Sequence, residues 1–198
     1  MSNFSRDSDL LGHEPMVFHE LPFAGQTRLK VTDAVIDGPN VTSAMGGFAP
    51  LSAGQVAMIG DGSFAIAAIV SNNAMTLAVP PVGVSGSTLV VRTLAPQAAL
   101  VGDELLRAIG LDPDDPSSAG SIVSLSLMVQ LEAIGTLSRA YAGAISIAGD
   151  SRRIEEKANR YRQRLARGLR GAAIELDLDG DGRIDAVRQP GIGQLVRG

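Results

Sequence analysis

Gln55-Val-Ala-Met-Ile59, Gly60-Asp61-Gly62 and Phe64-Ala-Ile-Ala-Ala-Ile-Val70 follow one another almost without a break. Two apolar runs flank an Asp-Gly pair. Such a pair is a strong short-range hairpin signal, because a two-residue turn needs positive φ. Downstream, Ser71-Asn72-Asn73 reads as another turn and Met75-Thr-Leu-Ala-Val79 as another strand, ended by Pro80-Pro81. Thr88-Leu-Val-Val-Arg92 reads as the last strand. Upstream, Pro15-Met-Val-Phe-His-Glu20 and Thr27-Arg-Leu-Lys-Val-Thr32 have strand character. Short strands and tight turns, at roughly 8–12-residue spacing, predict a barrel or sandwich from residue 15 to about 94. Residues 1–14 read as a flexible or draped arm.

The texture changes at Pro96. Gln97 to Ile109 is a helix candidate with Val101, Leu105 and Ala108 on one face; Gly110 is its C-cap and Pro113 lies beyond. Asp112 to Gly120 reads as a loop. Ile122 to Ile147 reads as one long helix, with Leu127, Leu131, Ile134, Tyr141 and Ile145 on one face. Its first turns, to Leu131, carry no charge. A helix apolar on every side is a buried one, and in a chain of this size that points to neighbouring subunits. Gly149-Asp150-Ser151 ends it and caps a third helix, Arg152 to Arg170, with Ile154, Ala158, Tyr161, Leu165 and Leu169 on its apolar stripe. Ala172 to Asp177 looks extended, and Gln189 to Gly198 reads as a tail. The expected fold class is therefore α+β. A β-rich domain with an N-terminal arm occupies 1–95, and a bundle of about three helices with an extended tail occupies 96–198.

Composition bounds the function. The chain has 198 residues, 45% hydrophobic and only 4% aromatic, with no Trp and no Cys. Disulfides, thiolate metal sites and cysteine nucleophiles are excluded. Charged residues make up 19%. Three long charge-free stretches, Gly38 to Gly60, Gly62 to Val91 and Pro116 to Leu131, are broken by turn residues or too short to span a bilayer, so no membrane partner is expected. The N-terminal segment carries Asp7 and Asp9 and has no apolar run of the kind a secretion signal needs. Net charge is −4, unevenly spread. Between Ser151 and Arg170 eight cations face two carboxylates, a surplus of six, which leaves −10 on the remainder. Such asymmetry indicates a docking surface or an internal charge match.

The sharpest local motif is Asp177-Leu-Asp179-Gly-Asp181-Gly182-Arg183-Ile184-Asp185. It matches the first nine positions of an EF-hand-type loop, with Asp177, Asp179, Asp181 and Asp185 as carboxylate ligands and Arg183 offering a carbonyl to Ca²⁺. Position 12 is Arg188, where a bidentate Glu belongs, and no helix clearly follows. The competing reading is an Asp/Gly turn between two short extended pieces, its side chains capping the backbone. His13 and His19 lack a ligand spacing that favours a metal. Gly46-Gly47 and Gly60-Asp-Gly62 lack the residues of a phosphate loop. On the basic helix, Arg152, Arg153, Lys157, Arg160, Arg164 and Arg167 form a candidate partner-docking face. Its sole aromatic, Tyr161, lies on the apolar stripe, so base stacking is not indicated, and a protein partner is favoured over nucleic acid. No catalytic constellation stands out among two histidines and no cysteine, and no enzyme activity is expected.

The helical half resembles the head–tail connector (adaptor) proteins of tailed bacteriophages in the order of its parts. A short helix reads Leu105-Leu106-Arg-Ala-Ile-Gly-Leu-Asp112, and a long Ala-rich helix follows. Next comes a basic helix with Lys157-Ala-Asn-Arg-Tyr161-Arg-Gln-Arg-Leu165. The finish is Leu176-Asp-Leu-Asp-Gly-Asp-Gly-Arg-Ile-Asp185, with Arg197 near the terminus. The match covers roughly residues 97–198. The β half is not part of the minimal helical pattern and would be an added domain. The resemblance implies a structural virion protein at the head–tail interface, made in the host cytoplasm. It also implies a homo-oligomeric ring, often twelvefold, whose partners are a portal protein and a tail or nozzle protein. No sequence-specific DNA site is implied. The rival expectation is a calcium-stabilised, non-enzymatic surface or binding module, for which Ca²⁺ would be the one cofactor.

Overall fold

The computed structural model describes residues 3–21, 26–82, 87–145 and 151–190. The fold is α+β, and the chain divides into two units, Arg6–Leu94 and Met1–Ser5 with Ala95–Gly198. In the first unit, helices α1 (Asp7–His13) and α2 (Val17–Glu20) precede seven strands. These are β1 (Thr27–Val31), β2 (Val35–Asp37), β3 (Asn40–Thr42), β4 (Val56–Ile59), β5 (Gly62–Ser71), β6 (Ala74–Leu77) and β7 (Leu89–Arg92). They form one antiparallel sheet in the order β1-β7-β4-β5-β6-β3-β2.

The hairpin at residues 55–70 organises this sheet. Val56 pairs with Ala65 and Ile59 with Gly62. The two turn residues are thus Gly60 and Asp61, and Gly60 takes the positive φ of 55°. The glycine the turn uses stands before the Asp, not after it. β4 is buried along its whole length. A strand buried on both faces needs cover on both. Ala57 and Ile59 join a core with Val31, Val41, Phe48, Ile66, Met75, Leu77, Leu89 and Val91. α2 packs beside β4, and α1 beside β5.

Two sequence expectations fail here for identifiable reasons. The supposed arm contains α1, whose Leu10 is fully buried. Asp9 accepts the Arg6 backbone N–H at 2.7 Å, one half of a capping box. Pro15 to Glu20, read as a strand, forms a turn and α2. Val17 and Phe18 are adjacent and both buried. A strand would point them to opposite faces, and a four-residue helix is too short to print its period. β2 and β3 were not foreseen. Their hairpin turns on Gly38-Pro39, with Gly38 at φ 55°. Asn73 Nδ2 donates to the Ser43 carbonyl at 2.7 Å, so the turn after β5 also fastens the loop after β3.

The second unit is built from α3 (Ala95–Ala108), α4 (Leu125–Ala144), α5 (Ser151–Gly171) and the hairpin β8 (Ile174–Leu176)–β9 (Ala186–Arg188). α3 ends as its sequence predicts: Gly110 lies at φ 77°, and Leu111 N–H donates to Leu106 O at 2.9 Å, the closing bond of a Schellman motif. α4 packs against both α3 and α5. It starts three residues later than expected, because Ile122 bridges to Leu176 of β8 instead. The charge-free entrance is not the buried part: Val123 and Leu125 are half exposed. Burial on every side comes further along, from Leu131 to Leu137 and at Ala140 and Tyr141, where α3 and α5 supply the cover. Ile134 and Ile145 are only partly buried. The expected cap at Gly149-Asp150-Ser151 and the tail from Gly191 lie outside the described residues. No helix among the described residues is long and apolar enough to cross a membrane.

Asp7 gives a measurable pH signature. Its carboxylate is buried, and it accepts the Leu94 N–H at 2.7 Å. Desolvation pushes its pKa up to about 6 from 3.8, against the opposing pull of Thr93, Leu94 and Arg28. A folded pKa above the unfolded one favours the protonated fold. That stabilisation is complete below pH 3.8 and is lost as pH rises through about 6. Asp7→Asn keeps an acceptor for Leu94 without the ionisation cost. Thermal melts should show the variant gaining on wild type between pH 4 and pH 7, by about 3 kcal/mol at most.

Candidate functional site

α5 is a helix because apolar residues recur at helical spacing through a highly charged sequence. Ile154, Ala158, Tyr161 and Leu169 are buried as the stripe predicts, and Leu165 is partly buried. The basic residues do not all lie opposite this stripe. Arg152, Arg153, Arg160 and Arg167 are exposed and Arg164 is half-buried, but Lys157 is only 8% exposed. The correction has a clear cause. The Lys157 ammonium sits 5.3 Å from the centroid of the Tyr141 ring on α4. Tyr141 in turn stacks on Tyr161, with centroids 5.8 Å apart and planes 8° from parallel. The Arg160 and Arg164 guanidiniums lie 5.5 Å and 5.6 Å from the Tyr161 centroid.

Three of the six expected docking cations are thus gathered on one pair of stacked rings. Each such contact is worth about 0.5–1 kcal/mol when exposed and about 2 when desolvated. A ring contact through charge also fixes where a long, flexible side chain ends. Arg153, Glu156, Lys157 and Arg160 line a cleft beside this array. Arg152 Nε pairs with Glu156 Oε1 at 3.3 Å, an exposed i,i+4 pair of small energetic value. Arg167 Nε donates to the Gln163 carbonyl at 3.4 Å and takes no part in the ring array.

The Asp motif closes the β8–β9 hairpin rather than opening a helix. Register pairs Ile174 with Arg188 and Leu176 with Ala186. Arg188 therefore occupies a strand, and no bidentate carboxylate stands at the loop's twelfth position. Asp177, Asp179 and Asp185 each bring an oxygen within 4.8 Å of the others. Asp181 is not part of that group: its Oδ1 accepts the Arg183 N–H at 2.8 Å. The clustered carboxylates have backbone partners too. Asp177 accepts Gly180 N–H at 2.7 Å and Gly182 N–H at 2.8 Å. Asp179 accepts Asp181 N–H at 3.1 Å, and Asp185 accepts Leu178 N–H at 2.7 Å. Gly180 and Gly182, at φ 78° and 85°, permit the reversals that aim these donors inward. A Ca²⁺ ion takes 6–8 oxygens. The three carboxylates supply part of that set, and their backbone bonds account for the loop's shape without an ion.

Sequence reading missed two features of this unit. Glu132 is fully buried on α4. It accepts Phe4 N–H at 3.1 Å and both the Ser5 N–H and hydroxyl at 2.7 Å. Desolvation raises its pKa, opposed by these bonds. The signal was present: Glu132 is the sole charge between Asp115 and Arg139, and a lone carboxylate in an apolar helix is buried only when it is bonded. The second is an exposed row. Register places Val123, Glu175 and Val187 side by side on the outer face of the small sheet, with both valines about half exposed. The histidines stay apart from any metal group: among the described residues, only the three Asp side chains form one.

Asp177 makes the hairpin acid-labile. Its N–H donors, Gly182 first, hold its pKa below the ordinary Asp value. A depressed folded pKa gives stability that is whole above pH 3.8 and is lost as pH falls through the folded value. Protection of the Gly180 and Gly182 amides from hydrogen exchange, relative to their intrinsic rates at each pH, should therefore fall as pH drops below the ordinary Asp value and before the helices open, and Asp177→Ala should remove it at pH 7 as well.

Compared with known proteins, the chain matches no family model, no curated protein and no solved structure.

Proposed function

We propose that this chain is a non-enzymatic structural protein of a tailed phage, a head–tail adaptor that joins the portal to the tail or nozzle. The observation that carries the reading is the order of parts in the second unit. α3, the small-residue helix α4, the basic helix α5 and the Asp-Gly hairpin follow one another as in the adaptor pattern, and they pack as one unit. In this reading the chain assembles as a homo-oligomeric ring in the virion, and the half-exposed Val123, Leu125 and Val187 meet neighbouring copies. The basic face of α5 docks on an acidic partner surface. The Arg6–Leu94 unit is the added domain and offers a second contact surface through exposed Val35 and Val70. DNA passes through such a ring without being read by sequence.

The alternative is a calcium-stabilised binding module, favoured by the convergence of Asp177, Asp179 and Asp185. Two measurements separate the readings. Negative-stain microscopy of the purified chain mixed with portal particles should show rings seated on the portal. A chain that remains a tight monomer and never binds portal defeats the adaptor reading. Calorimetric titration with Ca²⁺ should show no micromolar binding coupled to a large gain in melting temperature; such a gain would favour the module.

A further inference from the structure

Glu132 sits within α4, fully buried, and clasps a piece of chain 127 residues away. Its Oε1 accepts the Ser5 N–H and the Ser5 hydroxyl, both at 2.7 Å, and its Oε2 accepts the Phe4 N–H at 3.1 Å. Phe4 packs against the apolar core of the same unit. The chain leaves this unit between Ser5 and Arg6 and returns to it between Leu94 and Ala95. The clasp therefore holds the chain immediately before its first crossing.

The groups around the clasp are unlike in sign to what a carboxylate wants. Asp103 of α3 acts on Glu132 through its own negative charge. Its Oδ1 is buried with no hydrogen-bond partner. Glu104, the neighbouring acid on α3, is taken by Arg139 at 2.6 Å. Leu131 and Tyr141, which meet α5, lie about 100° and about 180° round α4 from Glu132. The α5 cations over Tyr141 and Tyr161 thus belong to another side of α4.

We infer that Glu132 is a pH-dependent latch: protonated, it holds Phe4 and Ser5 on α4, and as pH rises it lets them go. A proton on Oε2 leaves both 2.7 Å bonds to Oε1 in place. Burial first, with Asp103 in support, favours the uncharged carboxyl over the pull of the three donors, so the folded pKa is raised. Released, the carboxyl is solvated and ionises at the ordinary Glu value. Closure is therefore complete below that value. It weakens by up to about tenfold per pH unit until the latched value is passed. The latch holds whether or not the chain is an adaptor.

Hydrogen exchange at the Phe4 and Ser5 amides of the full chain, taken relative to intrinsic rates, tests the latch. Protection should be greatest near about pH 4 and should fall about tenfold or more by about pH 8, while amides in the middle of α4 keep theirs. Glu132→Gln retains an Oε1 acceptor for Ser5 and cannot ionise, so its protection should not change with pH. Asp103→Asn removes the opposing charge and should end the fall at a lower pH, with a smaller total loss. Asp7 titrates at about 6 only two residues beyond Ser5, so the same series belongs in Asp7→Asn, where the fall should persist. The latch is overturned if protection at Phe4 and Ser5 is flat or rises with pH, or if the fall survives in Glu132→Gln. A fall that vanishes in Asp7→Asn, or that the α4 amides share, overturns it as well.

Discussion

Gly135 has no room for a side chain: a Cβ there would lie 2.6 Å from Val101 Cγ1 on α3. Gly168 on α5 is nearly as constrained, with Leu131 Cδ2 at 2.9 Å. These two contacts set how closely α3 and α5 approach α4. The pairs Leu131–Gly168 and Tyr141–Tyr161 rise on one helix as they fall on the other, so α4 and α5 run antiparallel, as a short connection requires. Once the helices are close at the Gly168 end, the two tyrosines near the other end meet face to face. The cations of α5 then have rings beneath them. A small residue two turns away is thus a condition for the charged surface, and a bulky one would shift the rings as well as crowd the core.

How much of this could be read in advance depended on which physical signal each element prints. β1, β4, β5, β6 and β7 were legible because alternation and turn residues bracket each of them. The three helices were legible from their period. β2 and β3 were not, since three-residue strands around Gly38-Pro39 leave no pattern. α1 and α2 were missed because their order comes from tertiary burial of Leu10, Val17 and Phe18 rather than from propensity. At the candidate site, sequence named the basic residues but spread them over an exposed face. The inward turn of Lys157 goes with the Tyr141 ring, which stacks on Tyr161 of the neighbouring helix. That pairing carries no local signature.

The first unit manages polarity differently. Its strands from Gly62 to Val91 contain no charge. Turn amides tie its loops together instead: Asn72 Oδ1 accepts Gly47 N–H at 3.2 Å, and Asn73 Nδ2 donates to the Ser43 carbonyl at 2.7 Å. Gly46 leaves the space this needs, since a Cβ there would fall 2.7 Å from Asn72 Nδ2. Val70 and Val79 within this charge-free segment are exposed, while the charge at the unit's surface comes from other elements, among them Arg28 and Lys30 on β1.

The Asp-Gly hairpin is where motif and mechanism part company. Read as letters, Asp177 to Asp185 is a cation loop lacking its last ligand. Read as bonds, it is a turn in which each of four carboxylates accepts backbone N–H groups and thereby fixes its own negative charge in space. Fixed charge of one sign on this hairpin, and of the other sign on α5 of the same unit, is a polarity that a symmetric dimer would use poorly. In the proposed adaptor ring, unlike surfaces of successive subunits would face each other head to tail. A bound divalent cation would cancel that charge, so the motif would serve the proposed adaptor through its electrostatics only where no cation occupies it.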